Sequence, residues 1–191
     1  MDRTARQAGR RPGAWALVAL AALMAAGCGA AGAAAPPVHH HQAAAPRSAA
    51  RAPSRWFSVS QSRHRAALTL IAGYNGANSG FNYDGYAHGQ MVVSVPAGYT
   101  VTVTLKNEGS LPHSAAVVAG APTSTTLAFA GAAAPSQNVS TGLAIGQSAA
   151  FHFTPTKPGT FYIVCLVPGH EQLGMWLKFV VTAGGVPSFR D

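Results

Sequence analysis

Between residues 66 and 182, short runs of apolar and β-branched residues alternate with stretches rich in Gly, Pro, Asn and Ser. Residues 99–105 alternate strictly, placing Tyr99, Val101, Val103 and Leu105 on one face and threonines on the other, the signature of a half-buried strand. Residues 149–153 repeat the pattern, with Phe151 and Phe153 on one face and His152 on the other, which puts that histidine towards solvent. Residues 66–71, 91–95 and 114–118 are further strand-like runs, and residues 175–182 close the set. Residues 160–167 are nearly continuously apolar, as expected of a strand buried on both faces. Pro96-Ala-Gly98 and Pro155-Thr-Lys-Pro-Gly159 read as turns. No segment combines a sustained helical period with caps, and residues 123–148 carry the weakest signal. The expected fold is all-β, a Greek-key sandwich or barrel of about seven to eight strands.

The N-terminal part follows a different rule. Arg10 and Arg11 precede an uncharged run from Pro12 to Ala35 whose apolar core spans residues 14–26, an n-region followed by an h-region. Small residues Ala25, Ala26 and Gly27 stand directly before Cys28, resembling a bacterial lipobox with Ala25 where that pattern prefers Leu. Lipidation of Cys28, simple cleavage and retention as a membrane anchor all remain open, and all three export the rest of the chain. Ala/Pro-rich sequence containing His39, His40 and His41 follows, a flexible tether without apolar periodicity. The expected organisation is a leader over residues 1–27, a tether over 28–56 and a folded domain over 57–191.

Charge sharpens this division. The 191-residue chain has 13 Lys and Arg against 5 Asp and Glu, a formal charge of +8, and only 9% charged residues. The excess lies in the leader and in Arg47, Arg51, Arg55, Arg63 and Arg65, while cations and acids balance from Ala66 onward. A nucleic-acid-binding domain needs a basic face on the folded part, so nucleic acid is excluded as a partner. The stalk arginines instead suit an anionic lipid surface. Two cysteines are too few for a disulfide scaffold, a four-cysteine zinc site or an iron–sulfur cluster.

Candidate chemistry concentrates in residues 165–176. Cys165, His170 and Met175 recur five residues apart, with Pro168, Gly169 and Gly174 making tight turns possible between a buried strand and the next. His113, 52 residues before Cys165, begins another strand and offers a fourth donor. Alone, Cys165 reads as a small core hydrophobe, Met175 as core filler and His113 as a hydrogen-bonded turn residue. Together, two imidazoles, one thiolate and a weak axial thioether are the donors of a blue-copper electron-transfer site, suited to both Cu(I) and Cu(II). Zinc would use Cys and two His but would have no need of Met175. His64, His88 and His152 are not assigned to the metal.

These residues, with Phe81-Asn-Tyr-Asp-Gly-Tyr86, Gly89, Val95-Pro-Ala-Gly98, Asn107 and Pro112-His-Ser114, resemble the small blue copper proteins of the cupredoxin fold. The closest resemblance is to the sulfocyanins, with rusticyanin next, over roughly residues 66–183. The resemblance implies a type 1 copper with His113, Cys165 and His170 as equatorial ligands and Met175 axial. Ser114 would tie the ligand loops together, and Pro112 and Trp176 would supply apolar surroundings. The edge of His170 would meet partners through a patch of Leu166, Pro168 and Leu173. The implied function is that of a monomeric, extracytoplasmic one-electron carrier between respiratory complexes or cytochromes, held at the outer face of the membrane. A copper delivery or storage protein is the alternative. Residues 119–134 depart from the family pattern as a Gly/Ala-rich stretch.

An enzyme is not expected. Multicopper oxidases and copper nitrite reductases need further His-rich motifs and domains, a dinuclear copper centre needs two cysteines in the ligand loop, and Ser114 lies in no G-x-S-x-G elbow.

Overall fold

The computed structural model describes residues 55–191. The leader, most of the tether, Cys28 and the three consecutive histidines lie outside the described residues. In chain order the strands are β1 (Phe57–Ser60), β2 (Arg65–Ala72), β3 (Val92–Pro96), β4 (Thr100–Asn107), β5 (Ala115–Val118), β6 (Ala133–Ala134), β7 (Ser148–Phe153), β8 (Gly159–Val164), β9 (Trp176–Thr182) and β10 (Ser188–Arg190). A 3-10 turn, Ala77–Gly80, is the one helical element among the described residues. One sheet runs β1-β2-β4-β7 and the other β10-β3-β9-β8-β5-β6. The all-β, two-sheet expectation stands, and β1, β6 and β10 are additional to the strands that the pattern predicts.

Alternation builds the core. Leu68 and Leu70 of β2, Val101, Val103 and Leu105 of β4, and Phe151 and Phe153 of β7 are buried against Val93 and Val95 of β3 and Leu177, Phe179 and Val181 of β9. Each large apolar side chain buried in this way contributes roughly 1.5–3 kcal/mol. His152 is exposed, as its place between two inward phenylalanines requires. β8 is apolar on both faces because both are covered: Ile163 joins the inter-sheet core, while Val164 packs outside with Ala116, Val118 and Trp176.

The edge strands explain what the pattern missed. β1 pairs with β2, and its Phe57 stacks on Phe189 of β10 at 6.3 Å, joining the outer strands of the two sheets. Its signal is hidden in Ser- and Arg-rich sequence. The folded unit therefore includes Arg55, Arg63 and Arg65, which the charge count assigned to the stalk, and the expectation of a formally neutral folded part is corrected. Residues 55–191 carry seven Lys and Arg against four Asp and Glu. Arg55 caps an aromatic pair, 4.2 Å above the Trp56 ring and donating to the Tyr74 hydroxyl at 2.7 Å. The Gly/Ala-rich segment folds back onto β5, where Ala128 N–H donates to Val117 O, and Phe129 stacks on Phe153 at 5.1 Å.

The topology brings four strand ends to one pole. β5 and β9 both run antiparallel to β8, so the end of β8 lies beside the starts of β5 and β9. From the neighbouring sheet, Asn107 at the end of β4 reaches the same region, donating to Leu111 O and Leu143 O at 2.8 Å.

Near this pole Asp84 is buried, with a left-handed φ of 56°. Its Oδ1 accepts the Ile71 N–H at 2.9 Å, and its Oδ2 has no hydrogen-bond partner. Burial lifts the carboxyl from 3.8 to about 7; the Ile71 N–H and Arg55 pull it down, and Glu108 adds to the rise. Between these two values the folded chain holds a proton that the unfolded chain has lost, so this group's contribution to stability falls as pH rises through the window. Above pH 7 the full cost is present, on the order of 4 kcal/mol. Asp84→Asn keeps the Oδ1 acceptor, tolerates positive φ and carries no charge. Urea unfolding is expected to show the variant more stable than the parent at pH 8 by roughly 2–4 kcal/mol, with the gain vanishing near pH 4.

Candidate metal centre

His113, Cys165 and His170 are all buried, and one donor atom from each lies within 4.8 Å of the others. Cys165 Sγ is 3.3 Å from His170 Nδ1 and 4.0 Å from His113 Nδ1. A trigonal ion with bonds of about 2.0 Å to nitrogen and 2.3 Å to sulfur separates those atoms by about 3.7 Å. The two observed separations bracket that value, so the donors fit a single ion.

Each donor has its own support. His113 sits between Asn107 and the 141–147 loop, exchanging backbone hydrogen bonds with Leu143 at 3.2 and 2.7 Å. Asn107 is wholly buried; its Nδ2 donates to both Leu111 O and Leu143 O, and its Oδ1 accepts the Gly109 N–H at 2.9 Å. One amide thus closes the loop on both sides of His113. Gly109 leaves room for the ring, since a Cβ there would stand 2.8 Å from His113 Nε2.

The ligand loop is pinched at its base. Cys165 N–H donates to Met175 O at 3.1 Å, and Met175 N–H donates to His170 O at 3.0 Å, so three of the predicted donors share one hydrogen-bonded knot. Met175 is fully buried in the same core cluster as Cys165. Gly174 has φ 89°, and a side chain there would collide with the His88 ring, so the turn into Met175 requires glycine. Asn78 Nδ2 donates to Leu173 O and Phe81 O, both at 2.8 Å, and so holds the loop against the 3-10 turn.

Ser114 links the two histidine-bearing segments. Its N–H points at Cys165 Sγ at 3.3 Å, its Oγ lies 3.7 Å from the sulfur, and that Oγ accepts the Leu166 N–H at 2.9 Å. The remaining predicted neighbours divide. Pro168, Leu173 (49% exposed) and Leu111 (44% exposed) are at the surface, and His170 is 7% exposed. Leu166 is half-buried and packs with Trp176 on the outer face of the sheet. Trp176 points away from the ligand cluster: it follows inward-facing Met175 on the strand and meets Tyr162 edge-on at 5.6 Å. Pro112 is exposed beside His113.

Three further residues shape the site. Phe81 meets the His170 ring edge-on at 4.9 Å, Tyr83 is wholly buried with its hydroxyl on Ser114 O, and Asn107 organises the His113 loop. Asn107 was legible in principle, because it continues the inward alternation of Val101, Val103 and Leu105, and an amide at a core position needs partners. Nothing in the pattern around Phe81 or Tyr83 signals their depth.

Electrostatics keep the donors neutral without a metal. Burial, aided by the nearby His170, lowers the pKa of His113 to about 4, and burial lowers that of His170 as well. Burial raises the Cys165 thiol despite the N–H groups of Ser114 and Val167. Both imidazoles therefore offer free lone pairs at neutral pH, and a metal must displace the thiol proton. Two imidazoles, one thiolate and one thioether are the donor set of a type 1 copper ion.

Comparison with known proteins agrees. The family described as the Sulfocyanin (SoxE) domain matches residues 56–187. A sulfocyanin from Sulfolobus acidocaldarius is 29% identical over 133 residues, covering 64% of this chain and 66% of that protein, just under two thirds of its length. Crystal structures of substituted rusticyanins are 23% identical, with a TM-score of 0.50, covering 66% of this chain and 86% of theirs, a likeness of fold. Dithionite-reduced auracyanin from Roseiflexus castenholzii is 25% identical, with a TM-score of 0.45, over 61% of this chain and 96% of its own. With its two-sheet sandwich, its polar knot of His, Cys and Met at one pole, and this match across the folded domain, the chain belongs to the sulfocyanin family of blue copper cupredoxins.

Proposed function

We propose that this protein is a one-electron carrier whose metal is held by His113, Cys165 and His170, with Met175 as the axial donor. The observation that carries this reading is the convergence of three neutral, buried donor atoms within 4.8 Å. When bound, copper supplies a one-electron couple between Cu(I) and Cu(II). The chain's part is to hold the donors in one arrangement that suits both states. Asn107, the Cys165–Met175–His170 knot and the Ser114 bridge leave the ligands little freedom to rearrange. Burial of Cys165 and Met175 excludes water and favours the lower-charged state. The same burial disfavours a delivery role, which calls for exchangeable ligands.

Electrons are proposed to enter and leave through the edge of His170. The proposed patch comprises exposed Leu111, Leu173 and Pro168 with half-buried Phe81, which meets the His170 ring, while Leu166 packs with Trp176 on the outer face. A small apolar patch suits brief encounters with fast release. The proposed partners are respiratory complexes or cytochromes, met by a monomeric domain outside the cytoplasmic membrane. Lipidation of Cys28 and a tether over residues 28–56 would raise its effective concentration near membrane-bound partners. Among the described residues no helix is long and apolar enough to cross a membrane.

Copper-loaded, oxidised protein is expected to show an intense visible thiolate-to-copper band. Cys165→Ser should abolish it, while Met175→Leu should keep it and raise the reduction potential measured by redox titration, because the lost thioether disfavours Cu(II). A colourless copper protein would rule out the carrier reading.

Asn107→Ala removes three hydrogen bonds and takes the side-chain partner from Leu111 O and the Gly109 N–H, while Leu143 O keeps the His113 N–H. Chemical unfolding of the metal-free protein should register a loss of about 1–3 kcal/mol. Competition with a chelator should show weaker copper retention, on the order of 10- to 100-fold, as for other groups that orient a ligand.

A further inference from the structure

Tyr83 is among the largest wholly buried side chains, and its polar end faces the metal pole. It is pinned by a bridge to Ala72 and by backbone hydrogen bonds exchanged with Tyr86. Its hydroxyl donates to Ser114 O at 2.5 Å. Ser114 is therefore gripped at both ends: its carbonyl by Tyr83 and its N–H by the Cys165 sulfur at 3.3 Å. The groups around the sulfur, the Ser114 N–H and hydroxyl and the Val167 N–H, come from the ligand segments themselves. Tyr83 acts on that arrangement from outside them, across the core, through the Ser114 carbonyl.

We propose that Tyr83 is a positioning residue of the metal centre, one that sets its potential by locking the Ser114 N–H onto the Cys165 sulfur. The inference rests on the copper–thiolate reading above. Donors aimed at a sulfur stabilise it most when it carries most negative charge, in the reduced state. By holding the Ser114 N–H on the sulfur, the Tyr83 hydroxyl therefore favours reduction.

Tyr83→Phe keeps the ring and deletes the O–H. In the copper-loaded full chain, at an applied potential equal to the parent's midpoint, the oxidised-to-reduced ratio is expected to rise about three- to tenfold, where tenfold corresponds to about 59 mV. The visible band should move with it, because the sulfur's electron density changes. Tyr86→Phe, which loses a hydroxyl bonded to exposed Asp191 at 2.7 Å, should change neither. A Tyr83→Phe protein with the parent's band and a ratio altered less than about 1.5-fold overturns the assignment, even if stability falls, since a lost buried hydrogen bond alone costs about 1–3 kcal/mol. If the parent itself binds copper without the band, the copper–thiolate reading fails and this inference fails with it. Should Tyr83→Phe not fold, NMR of the parent in its Cu(I) form decides. A Tyr83 hydroxyl proton protected from exchange supports the role, and one exchanging at the solvent rate overturns it.

Discussion

A cysteine sulfur removed from water with its surroundings already arranged is the constraint on which the rest depends. Cys165 lies just past the end of β8, at a point where β5 begins alongside. The pairing of Ala116 with Val164 carries the register outward, so that Ser114 meets the cysteine with its N–H and Leu166 with its hydroxyl. A thiol placed there is held neutral by burial and becomes a thiolate only in exchange for a metal. The same strand register that buries the sulfur brings its hydrogen-bond donors and the His113 ring within reach.

The two imidazoles are held in different ways. His113 is walled in by backbone, close to Gly109, Gly73 and Gly142, and answers to Asn107. His170 is held by its own loop and by Phe81, and is 7% exposed. A sandwich provides this naturally, because one donor starts a strand in its interior and the other sits in a loop at its pole.

Buried polar groups at this pole are each tied to a specific partner set. Asn82 donates to Asn75 O and Ala77 O and accepts from Gly85, fixing the loop that carries Phe81 and Tyr83. Asn107 does the same for the His113 loop, and Asn78 for the ligand loop. Side-chain amides serve well here because each both donates and accepts, so irregular backbone can be buried without stranded carbonyls. Two carboxylates depart from this: Glu171 Oε2 in the ligand loop and Asp84 Oδ2 are buried without a hydrogen-bond partner, and Asp84 holds its proton far above the usual range.

The sequence by itself determined the strands whose two faces differ in polarity, the inward phenylalanines of β7, the outward His152 and the four donors of the ligand set. Those features follow from local period and from a donor chemistry that few other functions would use. Edge strands β1 and β10 escaped because Ser- and Arg-rich residues mask their period, and they are held by pairing and by the Phe57–Phe189 stack. Trp176 was misjudged for a geometric reason: neighbours on a strand face opposite ways, so the residue after an inward methionine points outward. Only the tertiary structure decided that Asn107, Phe81 and Tyr83 close around the site, because their partners lie far off in sequence and meet them only when the two sheets pack.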